Sequence, residues 1–272
     1  MQKLSLTLLL LAVSGAAYGA DLSVNAKVER AMFGEHRSEE YRARNQYRHP
    51  VGTLEFFGLR DNMNVLEIWP GGGWYTEVLA PVLHETGQFT IATWDPAVEG
   101  QPDYRYELPR MQAETFEAYP DVYGEVNLVY FSPPQSASLG AQNSYDMVLT
   151  FRNVHGWVNN GQAADIFSEF ARVLKPGGIL GVVQHRAATD SDPAETARMG
   201  YVSEEAVIAL AEAAGLVFEA SSEVNANPHD TKDYPDGVWT LPPSFRLEDQ
   251  DRERYAAIGE SDRMTLKFRK PE

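Results

Sequence analysis

Glu67, Gly71, Gly72, Gly73 and Asp95 form the set in this chain best suited by residue type and order to bind and act on a ligand. The first four lie in Val65-Leu66-Glu67-Ile68-Trp69-Pro70-Gly71-Gly72-Gly73-Trp74-Tyr75-Thr76-Glu77-Val78-Leu79. Here an apolar run ends in a carboxylate, passes through consecutive glycines and continues as a predicted helix. That order suits a nucleotide-shaped ligand. Glycines let the backbone approach without a Cβ in the way. The helix after them turns free N–H groups and the positive end of its dipole toward a negative group. A second predicted strand, Gln88 to Trp94, ends at Asp95. A carboxylate there can accept hydroxyl hydrogen bonds from a ribose, as in open α/β nucleotide sites. Charge-assisted bonds of this kind are worth about 1.5–3 kcal/mol each. The bland alternative is a tight strand-to-helix turn with no ligand; Asp95 and the later segments weigh against it.

Two patterns compete for the glycine loop. A dinucleotide fingerprint asks for G-x-G-x-x-G or a terminal Ala. Read from Gly71 the chain gives Gly71, Gly73 and then Thr76, so the close-packing third position fails and a nicotinamide oxidoreductase is disfavoured. Read as acid-x-x-x-G-x-G, the residues Glu67, Gly71 and Gly73 resemble motif I of the class I S-adenosylmethionine-dependent methyltransferases. Asp95 is similar to the acid that closes that family's second strand. Asp146-Met147-Val148-Leu149 resembles its fourth strand, and Leu174-Lys175-Pro176-Gly177-Gly178-Ile179-Leu180 its entry to the fifth. The string Glu67-Ile68-Trp69-Pro70-Gly71-Gly72-Gly73-Trp74-Tyr75-Thr76 also resembles a group of exported bacterial proteins of this superfamily. There is one departure: the family places a glycine two residues after the acid, where this chain has Trp69. An indole there either narrows the space for the cofactor's methionine tail or packs beneath the loop.

The resemblance implies an α/β fold, a doubly wound Rossmann-like, mostly parallel sheet with an antiparallel edge strand. It implies S-adenosylmethionine as cofactor, with Glu67, Gly71, Gly72 and Gly73 lining its amino-acid end and Asp95 taking the ribose hydroxyls. Ser132, which ends a third predicted strand over Glu125 to Phe131, falls where the family often touches the adenine edge. The implied activity is methyl transfer by direct displacement to a small-molecule acceptor. The rival is a non-catalytic exported binding protein on the same scaffold, which Trp69 and the supply of a cytosolic cofactor outside the cell both suggest.

The scaffold that carries these residues can be read from hydrophobic pattern. Val24 to Tyr47 reads as polar helix interrupted at Gly34, and Thr53 to Phe57 as a lead into the first strand. Leu108 to Tyr119 reads as a helix, as does Ala163 to Leu174, with Ile166, Phe167, Phe170 and Val173 inward. Ser203, followed by Glu204 and Glu205, starts another helix that Gly215 ends. Leu216 to Val224 and Met264 to Phe268 read as closing strands, and alternation of strands with helices argues for a doubly wound sheet. Pro176 stops a helix and Gly177-Gly178 turn the chain. The expected organisation is a signal peptide over 1–20, an N-terminal helical segment over 21–60, and an α/β domain over 61–272. The Pro- and Asp-rich stretch at about 225–261 is expected to be a lid, since a loop of that length in a compact domain is normally functional; the alternative is an ordered surface loop.

Lys3, the apolar run Leu4 to Val13 and the small residues around Ala17-Tyr18-Gly19 have the order of a secretory signal. The expectation is export to the periplasm or beyond. The apolar run is shorter than the roughly 20 residues that span a bilayer, so stable membrane insertion is not expected. The chain has 272 residues, no cysteine, 43% apolar residues and a net charge of −16. Disulfides are excluded. That much negative charge disfavours nucleic acid as acceptor, because phosphate contacts need a basic surface, and the expectation it gives is a neutral or cationic small substrate. Without cysteines or paired histidines no metal site is expected.

After the fourth strand comes Thr150-Phe151-Arg152-Asn153-Val154-His155-Gly156-Trp157, at the strand end that faces the ligand crevice in such sheets. His155 is the candidate general base, and Asn153 and Trp157 are candidate acceptor contacts. The bland readings are a structural histidine and a core tryptophan. Orienting acceptor and donor in line supplies about 7–11 kcal/mol of barrier reduction, against roughly 3–5 kcal/mol for a base. Positioning therefore outweighs base catalysis. Arg37, Arg44 and Arg48 have two readings, charges that neutralise an anionic substrate or the cofactor's carboxylate, and, preferred, a solvated face with Arg44 paired to Glu40. Arg186 and Arg263 are further pocket candidates.

Overall fold

Along each central strand, successive side chains leave for opposite faces of one sheet, and both faces are covered. In the computed structural model, which describes residues 22–272, Val65 packs with one apolar cluster and Leu66 and Ile68 with another. In the neighbouring strand Met147 and Leu149 join the first cluster and Val148 the second. This two-faced burial explains why the strands read as unbroken apolar runs rather than alternating ones.

The strands are β1 (Asn64–Ile68), β2 (Gln88–Thr93), β3 (Val126–Tyr130), β4 (Tyr145–Phe151), β5 (Leu174–His185), β6 (Val217–Ser222) and β7 (Arg263–Arg269). Their order across the sheet is β3-β2-β1-β4-β5-β7-β6. β3, β2, β1, β4 and β5 are mutually parallel, while β7 runs antiparallel between β5 and β6. The doubly wound, mostly parallel sheet expected from the sequence is therefore present. The order reverses beside β1, so β1 and β4 diverge into helices on opposite faces and leave a crevice above their carboxyl ends.

The helices are α1 (Val24–Met32), α2 (Glu39–Ala43), α3 (Asn45–Arg48), α4 (Pro50–Phe57), α5 (Thr76–Leu83), α6 (Tyr104–Ala118), α7 (Pro120–Tyr123), α8 (Val154–Asn159), α9 (Ala163–Val173), α10 (Pro193–Thr196), α11 (Glu204–Ala213) and α12 (Arg252–Ile258). One face carries α1, α4 and α5; the other carries α8, α9 and α11. Ser203 caps α11 by accepting from the Ala206 amide, as its sequence signature predicts. The Leu174–Ile179 stretch turns within β5 rather than before it: Leu174 pairs with Tyr145, Ile179 pairs with Met147, and the residues between bulge at Gly177.

Thr53 to Phe57, which leads into the first strand, forms the body of α4, whose first position is Pro50, a residue pre-set for a helix start. The helix expected over Leu108 to Tyr119 begins earlier, at Tyr104, with Pro109 inside it. No helix among the described residues is long and apolar enough to cross a membrane. The expected signal segment lies outside the described residues.

Gly181 of β5 faces Leu149 and Phe57, and a Cβ there would lie 2.7 Å and 2.9 Å from their carbons. The close approach of α4 to the sheet needs this glycine. Gly181→Ala is expected to cost about 1–3 kcal/mol through overpacking, read as a lower thermal unfolding midpoint. An unchanged midpoint would mean that Phe57 yields without strain.

Candidate active site

The β1 backbone delivers the chain to the crevice and then turns through three residues in the left-handed region, Trp69 (φ 43°), Gly71 (φ 60°) and Gly73 (φ 82°). Gly71 has open space where a Cβ would stand. The amides of Gly71 and Gly72 find no acceptor among the described residues. The carbonyls are held from outside: Gln112 of α6 donates to Gly71 O and the Tyr41 hydroxyl to Gly72 O, both at 3.0 Å. A Cβ at Gly72 would collide with that Tyr41 hydroxyl. The loop is thus clamped from outside and keeps its N–H groups free at the start of α5, the arrangement of an anion- or ligand-facing turn.

Glu67 does not reach into the crevice. It is 1% exposed and accepts a 2.7 Å hydrogen bond from the Thr76 hydroxyl beneath the loop. Burial raises its carboxyl to about 7, against the pull of Thr76, Arg152 and Arg48. Asp95, at the end of β2, stands at the mouth. Its Oδ1 accepts from the Ala97 amide at 2.9 Å and its Oδ2 from the Ser136 hydroxyl, which holds its carboxyl below the usual range. Ser132 accepts from the Asp95 amide at 2.8 Å, so it braces the Asp95 loop. A carboxylate has about four lone-pair positions, and two remain at Asp95.

Trp69 packs on the buried core and also lines the cavity beside Gly71. Its indole stacks on Trp94 with centroids 3.6 Å apart and donates through Nε1 to Phe131 O at 2.9 Å. Arg105 covers the Trp94 ring at 3.9 Å, closing the stack.

This cavity has a volume of about 300 Å³. Its floor is Trp69, Pro70, Gly71, Phe151, Arg152 and Asn153, from the ends of β1 and β4. His185 closes β5, and Arg44 and Arg48 come from the N-terminal segment. The remaining wall is Val238, Trp239, Pro242, Pro243, Ser244, Glu260 and Ser261, all from the 225–261 stretch. Asn153 is in the wall, with its amide nitrogen donating to Ile68 O at 2.8 Å, which ties β4 to β1. His155 is not in the wall. Its Nδ1 lies 3.3 Å from Gln184 Nε2 and its ring is edge-on to Trp239. Burial depresses its imidazole to about 4. Trp157 is fully buried among Phe167, Phe170 and Trp69, so the core reading replaces the acceptor-contact reading.

The arginines differ most from expectation. Arg37 and Arg48 are each 2% exposed, not on a solvated face. Arg44 pairs with Glu260 at 2.6 Å, not with Glu40. Arg48 and Arg263 bind the other carboxylate oxygen of Glu260 at 3.3 Å and 3.1 Å. Burial works against this charge, but Arg48, Arg263 and Arg44 outweigh it and hold the carboxyl at about 2. Arg186 faces Asp262, Glu204 and Glu223 away from the cavity. His185 was missed; its only sequence signal is its place at the carboxyl end of a strand. It lies 2.5 Å from the Ser261 hydroxyl, and burial keeps its imidazole well below the ordinary histidine value, hence neutral. Among the described residues no cluster of three or more metal-ligating side chains is present.

No protein-family model matches the chain, and no curated protein matches it in sequence. Solved structures do match in fold. One is a protein described as a sarcosine dimethylglycine methyltransferase from Galdieria sulphuraria, with TM-score 0.55 and 16% identity, over 85% of this chain and 87% of that one. A SAM-dependent methyltransferase from Aquifex aeolicus matches at TM-score 0.50 and 19% identity, over 74% and 93%. The 4+2 cyclase SpnF matches at TM-score 0.56 and 16% identity, over 91% and 93%. The chain has the class I methyltransferase fold. At these identities the likeness establishes architecture, and a cyclase among the matches shows that one architecture serves more than one chemistry.

Glu67 provides a test of this geometry. Its carboxyl ionises near 4.5 in a free chain and near 7 when folded. Between those values the unfolded chain has released the proton and the folded one has not, so this group's contribution to stability falls as pH rises. The loss reaches roughly 3 kcal/mol above pH 7. Glu67→Gln keeps an acceptor for Thr76 and cannot ionise. The variant should match the parent below about pH 4.5 and exceed it by that order above pH 7. Urea unfolding at both ends of the range checks this, and a pH-independent difference would contradict the burial of the charge.

Proposed function

We propose that this chain is an S-adenosylmethionine-dependent methyltransferase acting on a small-molecule acceptor. The observation that carries the reading is the pair of free amides at Gly71 and Gly72 in the loop after β1, with Gly71 also in the floor of the 300 Å³ cavity. The loop fits the amino-acid end of such a cofactor, and the two open lone-pair positions of Asp95 fit a ribose. Trp69 leaves the nucleoside end the tightest part of the crevice. When bound, the cofactor would supply an electrophilic methyl group on a sulfonium, whose bond to sulfur breaks as the bond to the acceptor forms.

The chain's own residues would do the rest. Gly71 to Gly73 and Asp95 hold the donor; Phe151, Trp239 and the two prolines exclude water; Asn153 fixes the crevice floor. His185, neutral near pH 7, is the imidazole in reach of an acceptor proton, while His155 stands behind it. The depressed basicity of His185 makes it a weak proton acceptor, so positioning carries most of the rate. We propose further that the chain is exported, from the signal-like order of Lys3, Leu4 to Val13 and Ala17 to Gly19. Mass spectrometry of an exported fraction should then find a chain beginning near Asp21.

Calorimetry of the purified protein with S-adenosylhomocysteine is expected to give saturable binding, weakened about tenfold or more in Asp95→Asn through loss of charge-assisted hydrogen bonds. Absence of binding at millimolar ligand would defeat the reading. Binding without transfer of a labelled methyl to any acceptor pool would leave a ligand carrier on the same scaffold.

A further inference from the structure

The cavity carries a charge imbalance that the fold does not need. Its wall holds Arg44, Arg48 and Arg152 against the single carboxylate of Glu260, in a chain whose net charge is −16. Glu260 is already fully engaged by Arg44, Arg48 and Arg263. Arg48 is 2% exposed, yet its Nη1 has no hydrogen-bond partner. The half-buried Arg152 guanidinium makes no hydrogen bond or ion pair with any described residue, and its backbone sits in the left-handed region at φ 65°. A cationic donor buried without a partner costs on the order of 1–3 kcal/mol or more. One guanidinium without a partner, Arg152, and one unfilled nitrogen of a second, Arg48 Nη1, border the same cavity and mark a place where a partner arrives from outside.

We infer that this cavity is a receptor for a small carboxylate, whose anionic end is taken by Arg48 and Arg152 and whose apolar body lies against Phe151, Trp69 and Trp239. The planar fork of a guanidinium matches a carboxylate with two parallel N–H···O bonds. The three aromatic rings exclude a fully hydrated ion and favour an anion with a hydrocarbon or aromatic body. His185 and Asn153 stand on the same wall and are left to the far end of the ligand. As a statement about the methyl acceptor, this rests on the function proposed above; as a statement about binding, it stands alone.

The test titrates the full protein with benzoate and with its neutral isostere benzamide, following calorimetry and the fluorescence of Trp69 and Trp239. Benzoate is expected to bind at least about tenfold more tightly than benzamide. Arg152→Met is expected to abolish that preference and Arg152→Lys to keep part of it. Equal affinity for the two ligands, no saturable benzoate binding by the folded protein, or an Arg152→Met variant that binds as the parent does would overturn the inference. Inorganic phosphate binding more tightly than benzoate would also overturn it, pointing to a phosphate receptor. Repeating the titration with S-adenosylhomocysteine present separates the two sources of a carboxylate. Unchanged benzoate affinity assigns the arginines to the acceptor, whereas competition assigns them to the cofactor and removes the acceptor claim. These titrations need no methyl transfer, so failure of the catalytic reading leaves them interpretable.

Discussion

The carboxylate of Glu260 holds the walls of the site in place. It joins Arg44 and Arg48, more than two hundred residues earlier, to Arg263 at the start of β7. That junction ties Arg44 and Arg48 to Glu260 of the covering stretch, and all three residues line the 300 Å³ space. A buried ion pair is weak grounds for stability, because desolvation offsets most of the attraction. What it does here is fix geometry. One carboxylate placed among four guanidiniums must keep its position, since any retreat would leave several buried charges without compensation.

That arrangement bears on the choice of ligand. Were the arginines only structural, a second acid could be expected among them, as happens around Arg186, where Asp262, Glu204 and Glu223 surround a single guanidinium. The two clusters draw on neighbouring acids, Glu260 and Asp262, and are built in opposite senses. One is acid-rich and closed, the other base-rich and facing a cavity. The contrast says that the deficit of acid at Glu260 is local and not a consequence of composition, since acids outnumber bases in the chain as a whole.

Much of the architecture was legible because it is written locally. Glu67 to Thr76 specifies a strand, a turn and the helix after it within a dozen residues, Leu174 to Leu180 follows a helix end with a turn at Gly177 and an apolar strand, and Ser203-Glu204-Glu205 marks a helix start by capping alone. The parts that were not legible are long-range. Arg44 and Glu40 satisfy a helical pairing rule, but α2 ends at Ala43, so the rule does not apply and Arg44 finds Glu260 instead. Thr53 to Phe57 is apolar enough for either a strand or a buried helix, and only the packing of Phe57 against Gly181 decides it. His155 and His185 are equally plausible at strand ends. The short helix α8 carries His155 behind the wall, whereas His185 ends its strand at the wall itself.

Trp69 sits on a backbone conformation that favours glycine. Its φ of 43° belongs to the region where glycine is at ease, and a bulky residue there costs on the order of 1–3 kcal/mol. The compensation is visible: a stacked contact with Trp94, a hydrogen bond to Phe131 O and edge contact with Trp157. The same indole forms part of the floor of the arginine-lined cavity, beside Gly71, where no side chain stands. A ligand in that cavity therefore meets an aromatic face and bare main chain side by side, an apolar surface next to hydrogen-bonding groups.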